Sequence, residues 1–498
     1  MRKTILNITT IILLLGGILL NNSTNGQDKS GIRKYPVKHL GVVDIGSRLE
    51  LFTDNYLIDK LDNVSLKLHE PIDKGSVLNF DKSWEGPFSA YCTVIKEQDI
   101  FSLYYRGVPT AGKDGRADEH TCYAESKDGI NWTKPDLKIY EIDGTLNNNV
   151  VLANAVPVTH NFSPFIDTRE NVHPKQKYKA LGGTGKSGLI AYVSEDGIHW
   201  KKLQDKPVFT EGVFDSQNVA FWSESEQQYL CYFRTWTESG YSGFRSVSRT
   251  TSKDFVNWTK PIQMEFGDTP FEHLYTNQTS PYFRASHIYI AVAARFMPGR
   301  KVISEEEAKE LNVNPKYFND CSDAVLMTTR GGNKYDRTFM ESFIRPGIGL
   351  QNWVSRSNYP ALNIVQTGAE EMSVYVNQDY AQPSAHLHRY SLRIDGFASV
   401  HAPYKGGELI TKPIYFAGEK LFINFSTSAA GFVKVEILDF DGNKIEGFEL
   451  ENSSEIIGNE IEKVVSWKGN PNLKDLNGKP VRLRFVMKDA DLYSIKFK

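Results

Sequence analysis

Five short stretches of this chain concentrate side chains that could bind and cleave a polar substrate. They read "SWEGPFSAY" (83–91), "THNFSPF" (159–165), "FDSQN" (214–218), "EHLYTNQTSPY" (272–282) and "VSRSNYP" (354–360). Together they carry carboxylates, amides, a histidine, an arginine and tyrosine rings. Amides and charged groups bond hydroxyls, and aromatic rings cover apolar faces, so this mixture suits a sugar.

Three carboxyl groups in these stretches, Glu85, Asp215 and Glu272, are the candidate catalytic residues. Hydrolysis of a glycosidic bond uses two carboxyl groups, one to protonate the leaving oxygen and one to act as nucleophile or to activate water. Phe271 and Leu274 flank Glu272 with apolar groups, which favours a proton-holding general acid. Polar neighbours surround Asp215, which favours an ionised base or nucleophile.

Each of these acids also has a structural alternative. Glu85 could cap a turn after Trp84, Asp215 could hold a loop by bonding its backbone, and Glu272 could pair with a nearby arginine. The residues predicted to bind substrate beside the acids are Arg106, Asn161, Gln217, Asn218, His273, Tyr275, Asn277, Arg356, Asn358 and Tyr359.

No metal or other cofactor is predicted. His386 and His388 place two imidazoles on one face of a strand, as a metal pair could, but no third ligand is evident in the sequence.

A repeated motif indicates the elements that position these residues. "ESKDGINWTKP" (125–135) returns as "SEDGIHWKK" (194–202) and as "TSKDFVNWTKP" (251–261). The copies are spaced roughly 60 to 70 residues apart, and a period of this size indicates one supersecondary unit used several times. Each unit reads as three or four strands, and five such units are found, with Tyr335 in place of the tryptophan in the fourth.

The five units predict an all-β fold, a five-bladed β-propeller, because sheets that cannot bury both faces alone close well into a ring. The first residues of the inner strands would then line a central funnel, where the five polar stretches lie. Trp132, Trp200 and Trp258 are predicted to pack between blades at an outer turn, and the aspartate of each repeat is predicted to hold that turn.

The two ends of the chain differ from the repeats. Residues 1–27 have the basic start, apolar run and polar end of a secretory signal peptide, which predicts an exported, periplasmic or extracellular protein with no membrane span once mature. We assign 45–405 to the propeller, with an N-terminal segment, "LFTDNYLI…SLKLHEP", supplying the outermost strand that closes the ring. Alternating residues and an Asp-Gly hairpin turn predict a β-sandwich over 410–498.

The net charge bears on the kind of partner, and the positions of the cysteines bear on their burial. The net charge of -2 argues against nucleic acid as a partner. Cys92, Cys122 and Cys231 lie in apolar strand-like runs and are predicted to be small buried side chains, whereas Cys321 is predicted to be exposed.

The chain resembles exported bacterial proteins of the glycoside hydrolase family 32-like group. The resemblance lies in "PFEHLYTNQ", "FDSQNVAFW", "NFSTSAAG" and "LRFVMKDADLYS", and it covers roughly 45–498. It implies a propeller with a C-terminal sandwich, an architecture similar to families 43 and 117, and a carbohydrate substrate. The Trp-Met-Asn-Asp-Pro-Asn-Gly, Arg-Asp-Pro and Glu-Cys motifs of family 32 are missing, so the resemblance does not imply fructose specificity or the family's catalytic residues.

The leading prediction is an exo-acting glycosidase, because a propeller funnel is a pocket that favours a terminal sugar. A glycoside phosphorylase on the same fold is an alternative, for which Arg106, Arg345 and Arg356 could supply a phosphate site. A non-catalytic carbohydrate-binding propeller is the third.

Overall fold

The computed structural model describes residues 41–498, and these residues are almost entirely β-structure. Five strands precede the repeats: β1 (Val43–Gly46), β2 (Glu50–Leu51), β3 (Ile58–Asp62), β4 (Ser65–Leu68) and β5 (Ile72–Asn79). The predicted signal peptide lies outside the described residues. Within 41–498, no helix is both long enough and apolar enough to cross a membrane.

The first three blades are four-stranded antiparallel sheets that follow one another along the chain. Blade 1 contains β6 (Ala90–Glu97), β7 (Ile100–Gly107), β8 (His120–Ser126) and β9 (Val150–Leu152). Blade 2 contains β10 (Ser163–Ile166), β11 (Tyr178–Thr184), β12 (Gly188–Ser194) and β13 (Lys201–Lys202). Blade 3 contains β14 (Val219–Ser223), β15 (Gln228–Trp236), β16 (Arg245–Ser252) and β17 (Ile262–Gln263).

The last two blades have an interrupted inner strand. In blade 4, β18 (Leu274–Thr276) and β19 (Thr279–Tyr282) both pair with β20 (Ala285–Met297), which pairs with β21 (Cys321–Thr329). The helix α1 (Glu305–Glu310) lies in the connection between β20 and β21. In blade 5, β22 (Tyr359–Pro360) and β23 (Val365–Gln366) pair with β24 (Glu371–Gln378), followed by β25 (His386–Arg393).

The ring closes through β5, which pairs with the outer edge of β25 so that Asn79 lies opposite His386. This corrects the prediction for residues 51–71, because β2, β3 and β4 pair instead with strands near the C-terminus. The inner strands of all five blades line a cavity of about 590 Å³ at one end of the ring. Each strand contributes at least one residue to the lining, among them Val94, Phe165, Phe221, Tyr282 and Val365. The all-β, five-bladed propeller is therefore confirmed.

The C-terminal strands are β26 (Ala398–Ala402), β27 (Gly407–Thr411), β28 (Ile414–Phe416), β29 (Leu421–Asp439), β30 (Asn459–Val464) and β31 (Val481–Phe497). With β1 to β4 they form one ten-stranded sheet. Apolar residues from both halves of β29 and β31, such as Ile423, Val435, Phe485 and Ile495, meet in a single buried cluster. The sheet thus folds over its own apolar face, and it takes strands from both ends of the described chain.

The repeated motif forms the same turn in three blades. In each, the serine Oγ accepts a hydrogen bond from the N–H three residues later, as Ser194 does from Gly197 at 2.9 Å. The aspartate Oδ1 accepts from two further N–H groups, as Asp196 does from Ile198 and His199, both at 2.8 Å. The predicted structural role of these aspartates is confirmed.

Two of the three motif tryptophans, Trp132 and Trp200, pack where neighbouring blades meet. Trp200 of blade 2 lies 6.2 Å from Tyr104 of blade 1 and 4.9 Å from Phe162, measured between ring centroids. Trp132 of blade 1 lies 5.9 Å from Tyr375 of blade 5. These contacts place both rings between blades, as predicted.

Replacing Trp200 with alanine is expected to lower the free energy of unfolding by about 3 kcal/mol, because the aromatic contact between two blades is lost. Thermal or denaturant unfolding measures the change, and Trp200→Phe, which keeps a ring, should lose less. A Trp200→Ala protein that kept its stability but lost activity would contradict the structural role.

All four cysteines in the described region are free and buried. The prediction for Cys92, Cys122 and Cys231 is confirmed, whereas the prediction of an exposed Cys321 is wrong. Cys321 begins the long strand β21, where it pairs with Met297 of β20, and the residue is only 5% exposed.

Candidate functional site

The chemistry of this propeller concentrates at the end of the ring where the inner strands begin. Because the strands of a blade are antiparallel, the second strand of each blade ends where the inner strand starts. Ala90 at the start of β6 pairs with Arg106 near the end of β7, and Leu274 at the start of β18 pairs with Arg295 near the end of β20. Arg234 near the end of β15 is the corresponding residue of blade 3.

The side chains that meet here come from blades 1, 3, 4 and 5 and form what we call the axial cluster. Its members are Tyr91, Arg106, Asp215, Arg234, Arg245, Tyr275, Arg356 and Tyr359. Arg356 lies just before β22, within electrostatic range of Tyr91 as well as Tyr275.

Tyr275 is the centre of this cluster. The guanidinium carbons of Arg234, Arg245 and Arg356 lie 4.5, 5.5 and 5.7 Å from its ring centroid. The ring of Tyr359 lies 5.0 Å away. Burial raises the pKa of the Tyr275 phenol, but the positive charges of Arg356 and Arg234 lower it by more, so the net pKa is below its usual value.

Tyr91 connects this centre to blades 1 and 2. The guanidinium carbon of Arg106 lies 4.8 Å from the Tyr91 ring, and the His160 ring lies 5.6 Å from it, edge to face. His160 Nδ1 lies 3.0 Å from a carboxylate oxygen of Glu119, and its Nε2 lies 3.7 Å from Asp114 Oδ1. Burial raises the pKa of Tyr91, which keeps this phenol protonated.

Asp215 is the predicted acid that the structure places in the axial cluster. Its Oδ1 accepts a hydrogen bond from Arg234 Nη2. The Asp215 side chain is 30% exposed, whereas the Arg234 side chain is 4% exposed. A carboxylate that remains accessible while a buried guanidinium fixes its position can contact a substrate.

Glu85 has a different environment from Asp215. Its side chain is fully buried, accepting hydrogen bonds from Tyr105 Oη at 2.6 Å and from Lys134 Nζ at 2.5 Å. The backbone N–H of Lys82 also donates to it at 3.1 Å, the turn-capping contact that the sequence left as an alternative. Lys134 in turn bonds Asp81 and the carbonyl oxygen of Asn79.

Replacing Glu85 with glutamine is expected to lower the free energy of unfolding by about 3 kcal/mol, because the largely buried Lys134 then loses its buried carboxylate partner and keeps only the exposed Asp81. Chemical denaturation measures this loss, and the fraction that folds should keep the activity of the parent. A stable Glu85→Gln protein with strongly reduced turnover would instead assign Glu85 to catalysis.

Glu272 lies between two arginines. Arg295 Nη1 donates to its Oε1 at 2.8 Å, and Arg337 Nη2 donates to its Oε2 at 2.6 Å. Arg295 also pairs with Asp323 at 2.6 Å, so blade 4 uses its second-strand arginine in a closed ion-pair network. Glu272, the predicted general acid, therefore forms the ion pairs with arginine that were the structural alternative for this residue. Phe271, which was expected to shield Glu272 from solvent, is 58% exposed.

The three predicted acids do not line one cavity. Glu272 lines a cavity of about 680 Å³ with Phe244, His273, Phe296 and Trp353, and neither Glu85 nor Asp215 is among its lining residues. Phe296 also packs against Arg245, with the guanidinium carbon 4.9 Å from the ring, so this cavity adjoins the axial cluster.

The amides predicted to bind substrate are buried and bond the protein itself. The five are Asn161, Gln217, Asn218, Asn277 and Asn358, and none is more than 2% exposed. The Asn161 amide donates to carbonyl oxygens of Gly183 and Ser216, both at 2.9 Å. Gln217 donates to Thr93 at 2.9 Å and accepts from Gln278 at 2.7 Å, which forms a polar network across the propeller axis.

The other predicted binding residues lie in or beside the axial cluster. Arg106, Tyr275, Arg356 and Tyr359 belong to the axial cluster. His273 is half-buried beside it, its Nδ1 accepting from the backbone N–H of Arg245 at 3.2 Å. Burial and the charge of Arg245 lower the pKa of His273.

The histidine pair on β25 is occupied by protein contacts. His386 Nε2 lies 3.2 Å from His388 Nδ1, and His388 Nε2 lies 2.7 Å from Asp73 Oδ1 on β5. These contacts join the closing strand to blade 5.

Sequence reasoning missed Tyr91, Asp114, His160, Arg234 and Arg245. A signal for Arg234 was present, since "LYYRG" and "CYFRT" place an arginine at the same point of the second strand in two repeats. Tyr91 is the last residue of a stretch that the sequence did single out. His160 likewise lies in a stretch that the sequence singled out, 159–165, whereas Asp114 lies in a connection whose path the repeats do not specify.

No protein-family model and no curated protein sequence matches the chain. Solved structures that it resembles include an arabinoxylan arabinofuranohydrolase of glycoside hydrolase family 43 from Bacillus subtilis, with a TM-score of 0.40 and 10% identity over 85% of this chain and 99% of that chain. A fructofuranosidase from Schwanniomyces occidentalis gives a TM-score of 0.38 and 10% identity over 84% of this chain and 96% of that chain. An N-acetylgalactosamine deacetylase from F. plautii gives a TM-score of 0.42 and 11% identity over 68% of this chain and 96% of that chain. Similarity at this level does not assign an activity to this chain.

Proposed function

We propose that this protein is an exported glycosidase that removes a terminal sugar from an oligo- or polysaccharide. The observation that carries the proposal is the partly exposed Asp215 carboxylate, fixed by the buried Arg234 at the centre of the ring beside Tyr275. A fixed carboxylate beside aromatic rings is an arrangement suited to glycoside cleavage.

Asp215 is assigned the role of the ionised carboxylate at the reacting carbon. Its ion pair with Arg234 stabilises the negative charge that a nucleophile or base requires. Asp114, with a side chain that is 48% exposed, is assigned the role of proton donor to the leaving oxygen. Its Oδ1 lies 3.7 Å from Nε2 of His160, whose ring packs on Tyr91, and this proximity supports the assignment.

The floor of the site supports the exo mode. The Gln217 and Gln278 network crosses the axis, with Gln278 also donating to the Pro360 carbonyl oxygen at 2.7 Å. A polysaccharide chain cannot pass through this network, which favours binding of a chain end at the axial site.

A glycoside phosphorylase is the second candidate, because Arg106 and Arg356 both belong to the axial cluster and guanidinium groups bind phosphate. Of the phosphate-site residues suggested by the sequence, Arg345 is 67% exposed and pairs with Glu70 at 3.2 Å.

The test is to incubate the purified mature protein with a panel of plant and algal oligosaccharides, with and without inorganic phosphate. Release of free monosaccharide independent of phosphate supports the glycosidase. Release of a sugar phosphate only when phosphate is present would replace it with a phosphorylase, and saccharide binding without any product would replace it with a binding protein. Cell fractionation tests export.

A further inference from the structure

Several guanidinium groups of the axial cluster have no anionic partner in the described structure. Within residues 41–498, the side chains of Arg245 and Arg356 form no ion pair and no hydrogen bond. Arg234 donates to Asp215 through Nη2, and its buried Nε and Nη1 form no hydrogen bond to a carboxylate. The Nε of Arg245 is buried without a partner as well.

The arginines of the neighbouring blade 4 show guanidinium groups whose N–H donors are paired with carboxylates. Arg295 forms hydrogen bonds to Asp323 through Nε at 2.9 Å and to Glu272 through Nη1 at 2.8 Å. Arg337 uses both Nε and Nη2 on Glu272. Leaving buried donors unpaired costs free energy, so donors that remain unpaired in a cluster of like charges indicate an anionic ligand.

The charges within the cluster support this reading. Arg245 is held against the rings of Trp236, Phe296 and Tyr275 at 4.6, 4.9 and 5.5 Å rather than against a carboxylate. Burial and the nearby positive charge of Arg234 lower the pKa of Arg245, in keeping with its contacts to aromatic rings.

We propose that the axial site binds an acidic saccharide, whose carboxylate or sulfate group is held by Arg234, Arg245 and Arg356. Planar guanidinium groups match both oxyanions because each presents paired N–H donors to two oxygens. The inference rests on the proposed function only in taking the ligand to be a saccharide.

The surroundings of these arginines suit the rest of such a ligand. Trp236 lies beside Arg245, and Phe244 and Phe271 form a nearby stacked pair with centroids 5.8 Å apart. Phe244 and Phe271 are 39% and 58% exposed and line the adjoining cavity of about 680 Å³. That volume is typical of small-ligand sites, and exposed ring faces cover the apolar faces of sugars.

The experiment is to measure binding of matched acidic and neutral probes by calorimetry, without requiring turnover. The probes are methyl glucuronide, methyl galacturonide and galactose 6-sulfate, their neutral counterparts methyl glucoside, methyl galactoside and galactose, and inorganic phosphate alone. We expect at least one acidic probe to bind about tenfold or more tightly than its neutral counterpart, with affinity falling as salt is added.

Two variants locate the binding. Arg356→Gln and Arg245→Gln, each checked for an unchanged melting profile, should lower the affinity for the acidic probe about tenfold or more and leave that for the neutral probe unchanged. Arg169→Gln is the matched control, because Arg169 also stacks on aromatic rings, Trp222 at 5.8 Å and Tyr229 at 5.3 Å, outside the axial cluster. If a glutamine variant fails to fold, Arg356→Lys, which keeps the charge but not the paired donors, replaces it.

The outcomes separate this inference from the proposed function. Arginine-dependent binding of an acidic probe by a protein that cleaves nothing supports the inference and removes the glycosidase. Cleavage of neutral glycosides as fast as acidic ones keeps the glycosidase and overturns the inference. Failure of every acidic probe to bind at millimolar concentration also overturns it, as does binding of inorganic phosphate alone, which would assign the cluster to a free anion.

Discussion

Asp215→Asn is expected to lower kcat by about 1,000-fold on the natural substrate, because the amide keeps the shape of the carboxylate but carries neither its charge nor its basicity. Substrate binding should persist, since the guanidinium groups and rings around the site remain. Rates under single-turnover conditions, together with calorimetric binding, measure the two effects separately.

Glu226→Gln is the matched control for this variant. Glu226 pairs with Arg249 much as Asp215 pairs with Arg234, with side chains that are 19% and 4% exposed. This pair lies outside the axial cluster, since Glu226 lies beside Gly331 and Arg249 donates to the Gly332 carbonyl oxygen. Both variants leave a buried arginine without its carboxylate, so a loss of activity common to both would indicate a structural effect. Near-normal turnover by Asp215→Asn would remove Asp215 from the mechanism.

Asp114→Asn is expected to lower kcat by about 100-fold on a natural glycoside, because the leaving oxygen then departs without a proton. A nitrophenyl glycoside should recover most of this loss, since its leaving group needs little protonation. The dependence of the loss on the leaving group is the diagnostic measurement, because a loop displaced by the substitution would slow both substrates equally.

Asp118→Asn provides the control from the same loop, as Asp118 is 49% exposed and pairs with Arg116 at 2.8 Å. It should leave both substrates unaffected. If Asp114→Asn behaves like this control while Glu272→Gln shows the leaving-group dependence, the general acid is Glu272, as the sequence predicted.

The architecture could be predicted because its signals are local. The Ser-x-Asp motif bonds N–H groups within three residues of itself, so Asp128, Asp196 and Asp254 form the same turn wherever they occur. Strand alternation and tight turns are likewise decided over a few residues. The number of blades follows directly from repeating such units.

The strand that closes the ring could not be assigned in the same way. Residues 50–68 and β5 are both strand-like, and pairing decides between them. The long strand β31 offers partners to β2, and β27 and β26 offer partners to β3 and β4. These partners lie more than 300 residues away along the chain, beyond the reach of any local pattern.

The sequence by itself determined that polar residues gather where the inner strands begin, and that Asp215 was one of three acids there. Only the tertiary structure decided which acid faces the axis. Glu85 pairs with Lys134, 49 residues away along the chain, and Glu272 pairs with Arg337, 65 residues away. Both carboxylates are therefore held in ion pairs within the protein. The physical reason is that the state of a carboxylate depends on the charges folded against it, and those charges come from other strands and connections. The same holds for the arginines of the axial cluster, which become a site only when the ring brings four blades together.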